Sequence, residues 1–173
     1  MAGTTTNNGW TYPTSTDYVK DGATAIQTLA TGIDTSTGNG LKAWTAYTPT
    51  LTGITLGSGG TSTFKYAQLG KIVFVRGVIA LGTGGTVTGP ADFSVPVSAQ
   101  VIFGGQTGYT QYYNGTNIWP GTCIAINSST VRMQIINAAG TYAVGQDLSS
   151  TVPFSWTTGA TRQLIIFATY EAV

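Results

Sequence analysis

Polar and hydrophobic residues alternate along much of the chain, and the clearest example is a stretch in its middle. Over residues 62–69, Phe64 and Tyr66 are separated by polar or small residues, which is the period-two pattern of a strand with one face on a core. Residues 72–81 are almost all apolar, so that strand should be covered on both faces. Gly70 stands between the two runs and can take the positive φ of a tight turn. The pattern predicts a β-hairpin.

Further strands are predicted over residues 44–55, 100–104, 121–127, 130–137 and 162–170. The last of them is apolar on both faces, like residues 72–81. Only one face of each sheet meets the core of a sandwich, so the second apolar faces predict contact with a neighbouring subunit. About seven or eight short strands with Gly-rich connections predict a mainly β fold. We expect a jelly-roll-like β-sandwich head domain over residues 42–173.

One helical pattern occurs, over residues 17–34, and residues 35–41 are predicted to be a linker. Gly22 and Gly32 each weaken the helix by about 1 kcal/mol relative to Ala, so it needs a partner. Its apolar residues repeat at the spacing of a coiled-coil seam: Val19, Ala23, Ile26, Ala30 and Ile33. The seam suits two or three copies of itself, and the alternative is packing of one helix on its own domain.

Residues 1–16 are rich in Thr, Asn and Gly, and such a segment alone would be an extended arm. Trp10 and Tyr12, followed by Pro13, are unexpected in it. We expect these aromatic residues either to dock onto another protein or to pack back on their own chain.

Charged residues make up 8% of the chain, against about 25% in typical globular proteins. Sheet edges are usually protected by charge, so we expect a partner chain to cover them. The net charge of +1 and the scattered basic residues give no footprint for nucleic acid or an anionic membrane. We also expect no membrane insertion and synthesis in the cytoplasm, since the sequence has neither a signal peptide nor an apolar run of about 18 residues.

Residues suited to catalysis are scarce. The chain has no histidine, which removes the commonest general base and metal ligand. Asp92 and Asp147 are the least unfavourable candidates for a convergent carboxylate pair, and Cys123 has the apolar surroundings of a buried structural thiol. No nucleophile elbow or phosphate-binding motif is present. We therefore expect no enzyme activity, no bound metal and no cofactor.

Residues 108–120 are the one segment that is suited to binding, in what looks like a long loop or hairpin tip. Aromatic faces beside amides suit sugar rings. The candidate residues are Tyr109, Gln111, Tyr112, Tyr113, Asn114, Asn117 and Trp119. The alternative is that these rings cap the end of the core.

Three stretches together resemble the small tail-fibre, minor tail and related receptor-binding proteins of tailed bacteriophages. They are GWTYPTSTDYVKDGATAIQTLATGID at 9–34, WTAYTPTLTG followed by FKYAQLGKIVFVRGVIAL, and the closing VPFSWTTGATRQLIIFATYEA. The resemblance spans most of the chain outside residues 85–150.

This resemblance implies a non-enzymatic homotrimer at the virion surface. Its arm, residues 1–16, would attach to other virion proteins through Trp10, Tyr12 and Pro13, and residues 17–34 would form a trimerisation stem. The head would face outward and bind host cell-surface glycan. Two alternatives stay open: a capsid-decoration or head-fibre protein on the capsid exterior, and a purely structural baseplate component.

Overall fold

The computed structural model describes residues 3–6, 9–16, 18–40, 43–100, 105–156 and 162–173, with the backbone alone over 36–40. The chain divides into two compact units, Met1–Lys42 and Ala43–Val173. Each unit is described separately.

The first unit contains one helix and one small hairpin. Strands β1 (Gly3–Thr4) and β2 (Thr11–Tyr12) pair antiparallel, and a 3-10 turn over Val19–Asp21 leads into helix α1 (Gly22–Gly40). The helix therefore starts later than residue 17 and continues through the described part of the predicted linker. Propagation adds one hydrogen bond for each residue fixed, so a helix that has started continues through residues of modest propensity.

The N-terminal segment is folded back rather than extended. The Thr5 amide donates to the Trp10 carbonyl (2.9 Å), and the Gly9 amide donates to the Thr5 carbonyl (2.9 Å). Trp10 lies against α1 at Gly32, where an added Cβ would be 3.3 Å from the indole Cδ1. Gly32 weakens the helix but leaves room for this ring, so Trp10 packs on its own chain.

The second unit is a single antiparallel sheet of ten strands. Its strands are β3 (Thr45–Tyr47), β4 (Leu51–Thr55), β5 (Thr61–Leu69), β6 (Ile72–Leu81), β7 (Thr86–Ser94), β8 (Gln106–Tyr113), β9 (Ile118–Asn127), β10 (Thr130–Asn137), β11 (Val144–Asp147) and β12 (Arg162–Glu171). Their order is β3-β5-β6-β12-β8-β9-β10-β7-β4, with β11 on β10. The mainly β fold is confirmed, whereas a sandwich of two separate sheets is not.

The sheet curls around one core. Strands β3 and β4 lie at opposite ends of the strand order, yet only residues 48–50 connect them. Phe64 of β5 and Phe93 of β7 meet inside the curl with ring centroids 5.4 Å apart, and both are buried. The short connection and the ring contact together require the two edges of the sheet to approach each other.

Several strands differ from those predicted. The segment 44–55 is divided into β3 and β4, and β7, β8 and β11 have no counterpart among the predicted strands. Residues 101–104 lie outside the described ranges. Pro90 in β7 removes a backbone donor, which argues against a strand. The β4–β7 pairing shifts register between Thr52 and Ile54, where Gly53 lies against the Pro90 carbonyl. The irregularity accommodates the proline.

The predicted hairpin is present as β5 and β6, and Gly70 in its turn has φ +58°. Strand β6 pairs with β12 along its whole length. Their inner faces are buried, as Val73 and Ile166 illustrate at 0% exposure. Their outer faces carry Phe74, which is exposed, and Phe167, which is half-buried. One apolar face of each strand thus meets the core, and the other lies open on the single chain.

Candidate functional site

Residues 108–120 form the end of a hairpin, with two paired strands and a tight turn, so the hairpin tip is the form of the prediction that holds and the long loop is not. Strand β8 ends at Tyr113, β9 begins at Ile118, and the four residues between them make the turn. The Asn114 Oδ1 accepts hydrogen bonds from the amides of Thr116 (3.0 Å) and Asn117 (2.9 Å). The Tyr113 hydroxyl donates to the Gly115 carbonyl (2.8 Å). The turn satisfies its own polar groups.

Tyr112 points into the core and has 0% exposure. Its hydroxyl accepts from Thr110 Oγ1 (2.7 Å) and donates to the Gln134 carbonyl (3.1 Å), and burial raises its pKa above the usual value. The Tyr112 ring also meets Trp156 edge-on at 6.1 Å. This residue caps the core, so we exclude it from the ligand-contacting surface.

Alternation places Tyr109, Gln111 and Tyr113 on the outer face of the sheet. Tyr109 is 50% exposed and stacks on Phe167 of β12, with ring centroids 4.9 Å apart. The Tyr109 ring therefore extends the apolar outer face of β6 and β12 onto β8. The seven candidate residues are therefore divided between two faces and a turn, and do not form one site.

Trp119 lies opposite Tyr112 in the β8–β9 register and packs on Phe154, with ring centroids 4.7 Å apart. It lines an open cleft of about 270 Å³. The other lining residues are Ile135, Ile136, Asn137, Ala138, Gln146, Val152 and Pro153. None of them is charged, so this Trp119 cleft suits a neutral ligand.

Two amides in the Trp119 cleft hold each other in fixed orientations. Asn137 Nδ2 donates to Gln146 Oε1 (2.7 Å), and Asn137 Oδ1 accepts from the Ala139 amide (2.9 Å). Within the described ranges Gln146 Nε2 has no acceptor, so it remains available to a ligand oxygen. A pre-oriented amide beside an indole ring can bind a hydroxylated ring. Sequence reasoning missed both amides because they lie on β10 and β11, far from residues 108–120.

Asp92 and Asp147 do converge, but on a shared arginine. Arg132 donates through Nε to Asp92 Oδ1 (2.8 Å) and through Nη2 to Asp92 Oδ2 (3.2 Å), and its Nη1 reaches Asp147 Oδ2 (3.2 Å). Gln134 Nε2 donates to Asp147 Oδ1 (2.8 Å). The hydrogen bond to Asp92 raises the pKa of Arg132 above its already high value. Both carboxylates are held as acceptors in an ion-pair network.

A second pocket of about 270 Å³ opens on the outer face of the sheet. Lys65 and Arg76 lie side by side in it, because they are direct partners in the β5–β6 register, and Trp44 forms another wall. Arg76 does not pair with Glu171, since Glu171 lies opposite Ile72. Hence this Lys65–Arg76 pocket contains two neighbouring cations.

The predicted seam of the first unit is open on the single chain. Val19 is 97% exposed, Ile26 is 60% and Ile33 is 40%, and Ala23 and Ala30 are exposed as well. The half-buried positions of the helix are Ala25, Leu29 and Gly32 among others, and Gly32 faces Trp10. Pro13 is half-buried and Tyr12 is 38% exposed. The hairpin therefore covers one side of α1 and leaves the seam uncovered.

Cys123 is buried, with its Sγ 3.9 Å from the Tyr109 carbonyl, and burial raises its pKa to about 12. In the ranges that the structure describes, no group of three or more His, Cys, Asp or Glu side chains is placed to hold a metal ion. No helix in those ranges is long and apolar enough to cross a membrane.

Comparison with known proteins adds no relative. No protein-family model matches the chain, and searches of curated proteins and of solved structures give no match.

Proposed function

We propose that this chain is a non-enzymatic structural protein of a tailed-phage virion, a homotrimeric tail-fibre or tail-tip protein that contributes to recognition of host-surface glycan. The observation that carries the proposal is the exposed apolar seam of α1. Ile26 and Ile33 lie uncovered on one side of the helix, while Trp10 packs on another. Knobs-into-holes packing of three such seams would bury them.

The head offers a second surface for neighbouring subunits. Phe74 and Phe167 lie on the outer faces of β6 and β12, which are adjacent strands, and Tyr109 extends the patch through its stack on Phe167. Burial of apolar area between subunits contributes about 25 cal/mol per Å² before the entropic cost of association is subtracted. In the trimer, we expect the curled sheet of each subunit to form one jelly-roll-like head. The binding clefts of each head would face outward.

For host recognition the Trp119 cleft is the best-supported site in the head. It combines an indole, a pre-oriented amide pair and an uncharged lining, which suit stacking and hydrogen bonding with a neutral sugar ring. Catalysis is not part of the proposal, because Asp92 and Asp147 are both engaged by Arg132.

The trimer is tested by light scattering on the purified full chain. We expect a mass three times the 17.9 kDa of one chain. Ile26→Asp should reduce the mass to that of a monomer, because it places a charge in the seam, whereas Thr31→Asp, at an exposed position away from the seam, should leave the trimer intact. A monomeric wild-type protein would contradict the proposal.

Location on the virion separates the tail assignment from its alternatives. Immunogold labelling should show a few copies at the tail tip. Many copies over the capsid would instead support a decoration or head-fibre protein that coats or stabilises the head.

Adsorption of the purified protein to host cells then distinguishes a recognition protein from a purely structural baseplate component. Ala138→Trp fills the Trp119 cleft from an exposed position and should reduce adsorption. Ser128→Trp, in the exposed β9–β10 turn, is the matched control. Equal adsorption by both variants would remove the cleft from the proposal.

A further inference from the structure

We propose that the Lys65–Arg76 pocket binds a negatively charged saccharide, a single sugar ring that carries a carboxylate or a phosphate group. This inference deepens the proposed host-surface recognition and rests on it only for the source of the ligand. The pocket is distinct from the Trp119 cleft, whose lining carries no charge.

The first observation is an unfavourable charge arrangement. Lys65 and Arg76 are directly opposite each other on paired strands, so their Cβ atoms are about 5 Å apart on one face of the sheet. Like charges in this position destabilise a sheet. The chain has only seven Lys and Arg residues in all, so two adjacent cations are a costly use of scarce charge unless an anion neutralises them.

The second observation is that the described part of the head, residues 43–100, 105–156 and 162–173, provides no such anion. Asp92 and Asp147 are bound to Arg132. Glu171 shares the outer face but lies opposite Ile72, which is four residues and about 13 Å along β6 from Arg76. Neither Lys65 nor Arg76 makes an ion pair or side-chain hydrogen bond there, so their positive charge remains uncompensated.

The third observation is the shape and chemistry of the pocket. Trp44, which is 49% exposed, lies beside the two cations, and Thr63 and Val78 complete the walls. A guanidinium binds carboxylate or phosphate through paired hydrogen bonds, and an indole face packs against a sugar ring. The volume of about 270 Å³ is just below the range of drug-sized sites, about 300–1,000 Å³, and therefore suits one ring.

Because both cations are exposed, solvent screens them and each single site should bind weakly. Arg76 is the direct partner of Phe167 in the β6–β12 register, so the pocket borders the surface proposed for neighbouring subunits. A trimer whose contact lies on the β12–β8 side, where Tyr109 stacks on Phe167, would leave three copies of the pocket open, and multivalent attachment raises overall avidity without any new contact.

The experiment titrates the purified full chain with glucuronate, glucose 1-phosphate and glucose, followed by NMR and calorimetry. Glucuronate, glucose 1-phosphate or both should bind and glucose should not, and affinity should fall as salt is added. The two anionic probes separate a carboxylate from a phosphate ligand. Absence of binding by both, or equal binding of glucose, would overturn the inference.

Matched variants test the residues. Lys65→Gln and Arg76→Gln should each weaken anion binding at least tenfold. Lys71→Gln makes the same charge change at an exposed position in the turn of the same hairpin and should bind as the wild type does. If Lys71→Gln weakened anion binding to the same extent, the effect would come from the overall charge of the protein rather than from the pocket, and the assignment would be overturned.

The same variants should also change Tm, in the direction opposite to that expected if Lys65 and Arg76 stabilised the fold. Without ligand, Lys65→Gln and Arg76→Gln should each raise Tm by about 1–3 °C, because each relieves like-charge repulsion. A lowered Tm in both would count against the inference. If light scattering shows a monomer that still binds the anionic probes through these residues, the proposed trimer fails and this inference stands.

Discussion

Replacing Arg132 by Met is the sharpest test of the ion-pair network in the head. The substitution removes the guanidinium from Asp92, whose side chain is 9% exposed, and from Asp147, whose side chain is 40% exposed. Asp147 can be solvated by water and keeps its bond from Gln134, whereas Asp92 would be left as a buried charge without its partner. The cost therefore falls mainly on Asp92.

The expected loss follows from that burial. Removing one partner of a buried pair costs about 3–5 kcal/mol. The Arg132 side chain is 25% exposed, and water therefore screens part of the interaction, so we expect Arg132→Met to lower the free energy of unfolding by about 2–3 kcal/mol. The double variant Asp92→Asn/Arg132→Met should recover much of this, because it removes the stranded charge as well.

Urea unfolding measures these differences, at one fixed protomer concentration because association shifts apparent stability. Arg76→Met is the matched control: Arg76 is exposed and unpaired among the described residues, so its replacement should not destabilise the head. A loss below about 0.5 kcal/mol in Arg132→Met would refute the reasoning and free the two carboxylates for another role.

Two further predictions concern the core. Tyr112→Phe should cost about 1–3 kcal/mol, because it leaves buried partners of its hydroxyl unsatisfied, whereas Tyr113→Phe, which loses only a bond to the hairpin turn, should cost less; equal losses in urea unfolding would contradict the core assignment of Tyr112. Cys123 should resist a thiol reagent in the native protein at pH 8 and react after unfolding, because burial raises its pKa to about 12. The buried thiol stays neutral, so its contribution to stability is complete below the unfolded pKa of about 9 and is lost as pH rises towards 12. Cys123→Ala should lose less stability than the wild type over this alkaline pH range. Rapid labelling of Cys123 in the native protein would contradict its burial.

Features that depend on neighbouring residues could be predicted from the sequence. The β5–β6 hairpin follows from alternation, a continuous apolar run and a glycine in the turn, and the two-sided character of β6 follows from the same run. The spacing of the apolar residues over 17–34 predicts where a helix occurs. It does not predict the end of the helix, because hydrogen-bond propagation extends α1 to Gly40.

The remaining features depend on distant parts of the chain. Strand β7 contains Gly89 and Pro90, and only pairing with β4 and β10 makes it a strand. The Trp119 cleft needs the register that brings Gln146 to Asn137. Asp92 and Asp147 come together because β7 and β11 pair with successive parts of the same edge of β10, the strand that carries Arg132. None of these placements has a local signal, so the single continuous sheet and its clefts could not be derived from periodicity.

The position of β12 determines when the head can be completed during synthesis. This strand comes after the nine others of the sheet in chain order, yet it lies between β6 and β8 in the middle of the sheet. Until the ribosome releases it, the chain can pair β3, β5 and β6 on one side and β8, β9, β10, β7 and β4 on the other, and the edges of β6 and β8 stay unpaired. Unpaired edges promote association with the wrong chain. Correct assembly of subunits must therefore wait until β12 has paired with both neighbours, and the insertion of this ten-residue strand is the closing step of every head.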